Sequence, residues 1–254
     1  MPLTSLAVSD HVATLTLDPP GGVFDRAVAE ALRAATEEVA GRLDEVRAVV
    51  VRSAGPDLGT GWSERALEEG DALGGVLAPL GAAFDALAGL PQPVVAAIEG
   101  RAHSAGLELA LACDIRVASS AATFALPETA LGLVPRGGGT QRLPSAVGRA
   151  QALRMVLTGE VIDAAEARRI GLVSAVVSEG EAAAKAMEIA AQIAARGPLA
   201  TRFVKEAIAR GSELSLDQAL RLELELTVLL QTTEDRAEGV RAFIERRPPQ
   251  FRGR

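Results

Sequence analysis

Two glutamates, Glu108 and Glu128, stand in apolar surroundings twenty residues apart. Glu108 is flanked by Leu107, Leu109, Ala110 and Leu111; Glu128 follows Phe124-Ala-Leu-Pro127. A carboxylate in such a run needs a partner or a cavity, because an isolated buried charge is costly. Burial raises a carboxyl pKa and a helix start lowers it, and acid–base glutamates occupy environments with such opposing influences. If both face one pocket, one can take a proton from water while the other gives a proton to carbon. The plain structural alternatives are an acid favoured by the dipole of its helix start for Glu108, and a cap on a short helix with Pro127 at its first position for Glu128.

Just before Glu108 lies a small-residue turn, His103-Ser-Ala-Gly106. It follows a strand and opens the helix that carries Glu108. Small residues let backbone N–H groups approach a ligand, and donors of this kind stabilise a carbonyl that becomes an oxyanion. Ala105 is the candidate donor; a tight turn without a ligand is the alternative. The glycine run Gly137-Gly138-Gly139 has neither the spacing nor the lysine of a phosphate loop, and does not match the dinucleotide pattern. His11 and His103 are the only histidines and have no companion ligands, so no metal site is expected. Ser104 shows no adjacent base, which leaves a serine hydrolase unsupported.

The elements that must position these groups read as follows. Residues 3–8 and 12–17 alternate like paired strands, ended by Asp18-Pro-Pro-Gly-Gly. Residues 27–43 form an amphipathic helix. Residues 46–52 and 93–98 are buried strands, 115–118 and 123–126 shorter ones, and 172–177 the last. Residues 55–62 read as a loop and 64–88 as an interrupted helix. From about 181 onward the pattern is helical, broken at Gly197-Pro198 and Gly211-Ser212. The result is an α/β core with a C-terminal helical appendage, divided as residues 1–195 and 196–254. Residues 214–230 are rich in leucine and valine. They pack either on their own core or on another subunit.

The chain has 254 residues, 48% hydrophobic and 23% charged, with net charge −7. It can bury a full core. The acidic balance, no tyrosine and one tryptophan argue against a nucleic-acid platform. Cys113 is the only cysteine, which excludes an internal disulfide, and its Ala/Leu context suggests simple packing. No apolar run approaches the roughly 18 residues needed to cross a bilayer, and the N-terminus lacks a secretory pattern. A cytoplasmic protein is the expectation.

At these residues the chain resembles the enoyl-CoA hydratase/isomerase (crotonase) superfamily. PVVAAIEGRAHSAGLELALACDIRVAS (93–119) is similar to its signature, and FALPETALGLVPRGGGTQRLPSAVGRAQALRMVLTGEVIDAAEARRIGLVSAVV (124–177) to the segment that follows. EDRAEGVRAFIERRPPQFRG (234–253) is similar to its usual ending. The resemblance implies an α/β fold, a crotonase-like spiral of ββα units with a C-terminal helical trimerisation region. It implies acyl-CoA thioester substrates, no metal or separate cofactor, and a homotrimer or hexamer. By the same resemblance Glu108 orients and deprotonates water, Glu128 exchanges the proton at the α-carbon, and the backbone N–H groups of Trp62 and Ala105 form the oxyanion hole. Gly61, Gly106, Pro127 and Gly138 would join Trp62 and Ala105 in lining the substrate.

Departures from the family pattern fall on the lining. The loop reads Thr60-Gly61-Trp62-Ser63, where relatives have a small residue and an acid. The N-terminal loop reads Gly22-Val23-Phe24-Asp25, and Arg136 stands where small residues are common, a charge expected near the glutamates. The reading is reversible hydration of a 2-enoyl-CoA to a 3-hydroxyacyl-CoA in fatty-acid or related catabolism. The alternatives are isomerisation or other crotonase-type thioester chemistry, and a catalytically silent acyl-CoA-binding relative.

Overall fold

The computed structural model describes residues 2–62 and 77–254. In chain order its strands are β1 (Thr4–Ser9), β2 (Val12–Leu17), β3 (Val23–Phe24), β4 (Ala48–Ser53), β5 (Gly61–Trp62), β6 (Val94–Ile98), β7 (Arg101–His103), β8 (Ile115–Ser119), β9 (Thr123–Ala125), β10 (Ile162–Asp163) and β11 (Ala175–Val177). Its α-helices are α1 (Arg26–Ala40), α2 (Leu77–Ala88), α3 (Ala105–Ala112), α4 (Gly139–Val147), α5 (Arg149–Thr158), α6 (Ala164–Arg169), α7 (Ala182–Ala194), α8 (Pro198–Gly211), α9 (Leu216–Gln231) and α10 (Glu234–Glu245). The helix expected over 64–88 is present as α2; the earlier part of that stretch, with Ser63, lies outside the described residues.

The main sheet has the order β1-β2-β4-β6-β8-β11. Only β1 and β2 pair antiparallel; from β2 onward the neighbours are parallel. The alternation of side chains along each strand divides its residues between two cores. Val49 and Val51 face α1 and the main core, whereas Val12, Ala48, Val50, Val95 and Val117 face the other way. That second face is covered by α7 through Ala182, Ala186, Ala190 and Ala194, a stripe at four-residue spacing. Alanine carries no more than a methyl group, so the helix lies close to the sheet.

Short strands build the second layer. β10, β9 and β7 form one sheet, and β3 with β5 another. A bridge from Gly59 to Ala102 carries the pairing onto the loop before β5. Sequence periodicity missed β3, β5, β7 and β10, each two or three residues long and too short to show a period. α4 carries Pro144 inside it. Pro144 sits in the second turn, where its missing N–H costs one ladder bond.

α8 is fastened to the core by Lys205, whose Nζ meets Asp114 at 2.7 Å and the Gln92 carbonyl at 3.1 Å. Arg202 donates to the Leu43 carbonyl. α9 starts from a full capping box, Ser215 with Gln218. Of its apolar residues only Leu226 is buried, while Leu216 is 76% and Leu224 63% exposed. Most of this helix's apolar side chains are therefore left uncovered by the described residues.

Candidate active site

The pairing of β7 with β9 brings the two glutamates together. His103 lies opposite Ala125 in a parallel register, and the Ser104 N–H donates to the Ala125 carbonyl at 2.9 Å. The chain after β7 turns into α3, and the chain after β9 runs through Pro127 to Glu128, so both exits lie side by side. α3 begins at Ala105, inside the turn read from sequence, which puts the Ala105 N–H at the first helical position, where no intrahelical acceptor exists. Glu108 falls in the first turn. Pro127 is outside its short 3-10 helix rather than at the first position, and Glu128 opens that helix without capping it.

Both carboxyl groups are buried, Glu108 completely and Glu128 at 3% exposure. Glu108 Oε1 accepts from the N–H of Gly137 at 2.6 Å and of Gly139 at 2.9 Å. Glu128 Oε1 accepts from the Ser104 hydroxyl at 2.5 Å. The second oxygen of each glutamate is buried with no partner among the described residues, an arrangement that calls for a functional explanation. Burial pushes the Glu108 carboxyl up to about 7; the Gly139 and Gly137 N–H groups and Arg142 pull the other way, and the Glu128 charge adds to the rise. Glu108 therefore changes charge near neutral pH, as a general acid–base group must.

The glycine loop cannot be anything else. A Cβ on Gly137 would lie 2.7 Å from the Phe84 ring and 2.8 Å from Glu108 Oε2. Gly138 has φ 101°, so a side chain there is strained. Gly138 lies between the two donors, and its carbonyl accepts from the N–H groups of Gln141 and Arg142. Arg142 closes the arrangement: its Nη1 donates to the Gly137 carbonyl at 2.8 Å and its Nη2 to Asp85 at 2.5 Å. Neither residue was singled out in the sequence, since Arg142 reads as an ordinary helix cation and Asp85 lies on a different element. Arg136, expected near the glutamates, is exposed, and Arg142 is the cation that acts on Glu108. Arg142→Met keeps the aliphatic stem and removes both charge-assisted bonds. It is expected to lower turnover roughly tenfold and stability by about 1–2 kcal/mol, read by steady-state kinetics and denaturant melts.

The loop carrying Gly61 and Trp62 is held against the same turn. Asp57 pairs with Arg101, Nη2 to Oδ2 at 2.8 Å, and accepts the Arg101 N–H at 2.7 Å. The N–H groups of Leu58 and Gly59 donate to the Arg101 carbonyl, and the His103 N–H to the Gly59 carbonyl at 2.9 Å. Gly61 then sits beside Ser104. Trp62 is half-buried and packs on the main core. The expected loop thus ends in a short strand, β5, paired with β3.

The other candidates take modest places. His103 Nε2 meets the Thr123 hydroxyl at 3.0 Å, and burial lowers its pKa, which keeps the ring neutral. Ser104 does have a carboxylate acceptor, contrary to the sequence reading, yet no imidazole stands by it. Cys113 is buried and its thiol is pushed up to about 12 by burial, so it packs as an inert small residue. Among the described residues no group of three or more His, Cys, Asp or Glu is placed to hold a metal ion. None of the described helices is long and apolar enough to cross a membrane.

Comparison with known proteins adds an independent line. A family model described as enoyl-CoA hydratase/isomerase matches residues 8–254. The chain is 42% identical over 216 residues to the mitochondrial methylglutaconyl-CoA hydratase of Rattus norvegicus, covering 82% of this chain and 69% of that one. It is 45% identical over 163 residues to the 2,3-dehydroadipyl-CoA hydratase of Escherichia coli K12, covering 64% of each. The crystal structure of an enoyl-CoA hydratase from Bacillus anthracis superposes with a TM-score of 0.91 at 33% identity, over 99% of this chain and all of that one.

Proposed function

We propose that this chain, which belongs to the enoyl-CoA hydratase/isomerase family, adds water reversibly to a 2-enoyl-CoA. The single observation that carries the reading is the buried pair: Glu108 and Glu128 each have one oxygen tied and one without a partner. Glu108, titrating near 7, takes the proton of the attacking water. Glu128 gives the proton to the α-carbon. As water adds to the β-carbon, negative charge develops on the thioester oxygen, and the N–H groups of Ala105 and Trp62 stabilise it. Gly61, Gly106, Pro127 and Gly138 line the acyl and thioester path. The exposed leucines of α9 are the contact surface of a homotrimer or hexamer, which would cover far more apolar area than a soluble monomer leaves open.

Two of the relatives above are named for methylglutaconyl-CoA and 2,3-dehydroadipyl-CoA, so the assay panel includes short linear, methyl-branched and ω-carboxylated 2-enoyl-CoAs. Loss of the conjugated-thioester absorbance with one of them is the expected result; no loss with any ends the hydratase reading. Isomerisation is the rival within the enzyme class. It needs only one proton-transfer carboxylate, and the second, Glu108, is held by two backbone donors, which favours hydration. A gain of absorbance from 3-enoyl-CoA without hydration would favour the rival. Calorimetric binding of a CoA thioester with no turnover would instead mark a silent binder.

A further inference from the structure

Ser104 stands where the backbone asks for glycine. Its φ is 51° and its ψ −121°, a conformation that a residue with a Cβ holds only when its surroundings impose it. Serine at a helix N-cap ordinarily offsets its cost by accepting from the first turn, but the Ser104 side chain makes no capping bond. Its hydroxyl is buried and goes elsewhere, to Glu128 Oε1 at 2.5 Å. The backbone of Ser104 is pinned on both sides. Its N–H is held by the Ala125 carbonyl, and its carbonyl accepts from Leu107 and Glu108. The hydroxyl is thus aimed at Glu128 by the same turn that opens α3.

We infer that Ser104 is the positioning residue for Glu128: its hydroxyl ties down Oε1 and leaves Oε2 as the oxygen that exchanges the proton with substrate. The inference rests on the reading of Glu128 as the α-carbon acid. A short hydrogen bond to one oxygen of a carboxyl group is directional, so it selects one orientation of a group that otherwise turns about its terminal bond. It also hands over no proton during turnover, because the serine hydroxyl keeps its own. The strained backbone is what places the donor there.

The test uses two variants. Ser104→Gly removes the hydroxyl and relieves the backbone; Ser104→Ala removes the hydroxyl and keeps the strained Cβ. Both are expected to lower kcat roughly tenfold to a hundredfold with KM changed less than about threefold, the loss expected when a buried carboxyl oxygen is left without its donor. Ser104→Gly is expected to melt above Ser104→Ala, and in its crystal structure the Glu128 carboxyl turns from its present position or occupies two. A Glu128 carboxyl fixed unchanged in that crystal structure overturns the inference, as does wild-type kcat in both variants of an active enzyme. If wild-type protein hydrates no enoyl-CoA, the hydratase reading falls, and the position of the Glu128 carboxyl in Ser104→Gly still decides the role of Ser104. Should Ser104→Ala fail to fold, the glycine variant carries the test alone.

Discussion

Glu108→Gln is expected to abolish more than 99.9% of hydration, roughly a 10³-fold loss, while making the protein more stable above neutral pH. The two effects share one cause. The Gln carbonyl still accepts from the Gly137 and Gly139 N–H groups, so the turn stays in place. What is lost is the charge that burial disfavours. With the folded-state value near 7 against an ordinary 4.5, the native protein binds more protons than the unfolded chain between these limits. Stability therefore falls as pH rises from about 4.5 through about 7 and is flat above. The carboxyl costs nothing of this kind below about 4.5.

The gap is worth about 3 kcal/mol. The amide group of Gln places donors where Oε2 has no partner, which costs about 1–3 kcal/mol at every pH. The absolute gain is therefore small, and the difference between variant and wild type carries the prediction. It should grow by about 3 kcal/mol in favour of Gln between pH 4.5 and pH 8, or roughly 6–12 °C in Tm. Parallel stability curves for the two proteins over that range would sink the account. Activity of the wild type should rise with pH through about 7, since the water-activating carboxyl must be ionised. Glu128→Gln should lose turnover comparably and keep acyl-CoA binding.

The glutamates were legible in the sequence because each is a charged residue in an apolar run, a local contradiction that a single segment displays. The strands of the main sheet were legible locally as well, the first two as alternating stretches and the central ones as continuous runs of valine, isoleucine and alanine. Their supports were not. Asp85 and Phe84 are unremarkable on their own helix and reach this site only through tertiary packing, Phe84 against Gly137 and Asp85 through Arg142, whose bond back to the Gly137 carbonyl depends on how its own helix starts. Ser104 was read as a turn residue without a base because its acceptor, Glu128, arrives by way of β9, a strand of three residues. Arg136 and Arg142 show the limit most plainly. Six residues apart, one was expected beside the glutamates and is exposed, while the other lies behind the glycine turn because α4 starts at Gly139 and folds it back.

Gly106→Ala is expected to damage the site more than any other single methyl group. An added Cβ would lie 2.6 Å from both the Cα and the carbonyl oxygen of Gly59, and a Cβ on Gly59 would meet Gly106 Cα at 2.7 Å and the Phe24 ring at 2.6 Å. These neighbours are mostly backbone, so no rotamer change relieves the contact. The Gly59 loop must move, although its N–H and carbonyl are bonded to β7 on both sides. Because Gly61 and Trp62 follow within three residues, displacing Gly59 also displaces the Trp62 N–H relative to Ala105. A shift of about 1 Å between catalytic groups costs on the order of 10² in rate, and overpacking a tight contact costs about 1–3 kcal/mol of stability. Gly55→Ala is the control, in the same loop, where a Cβ would meet only the Ser53 hydroxyl oxygen, at 3.9 Å. It should leave both quantities unchanged. Equal kinetics and equal melting of Gly106→Ala and Gly55→Ala would mean that the close approach of these two backbones does not set the geometry of the oxyanion donors.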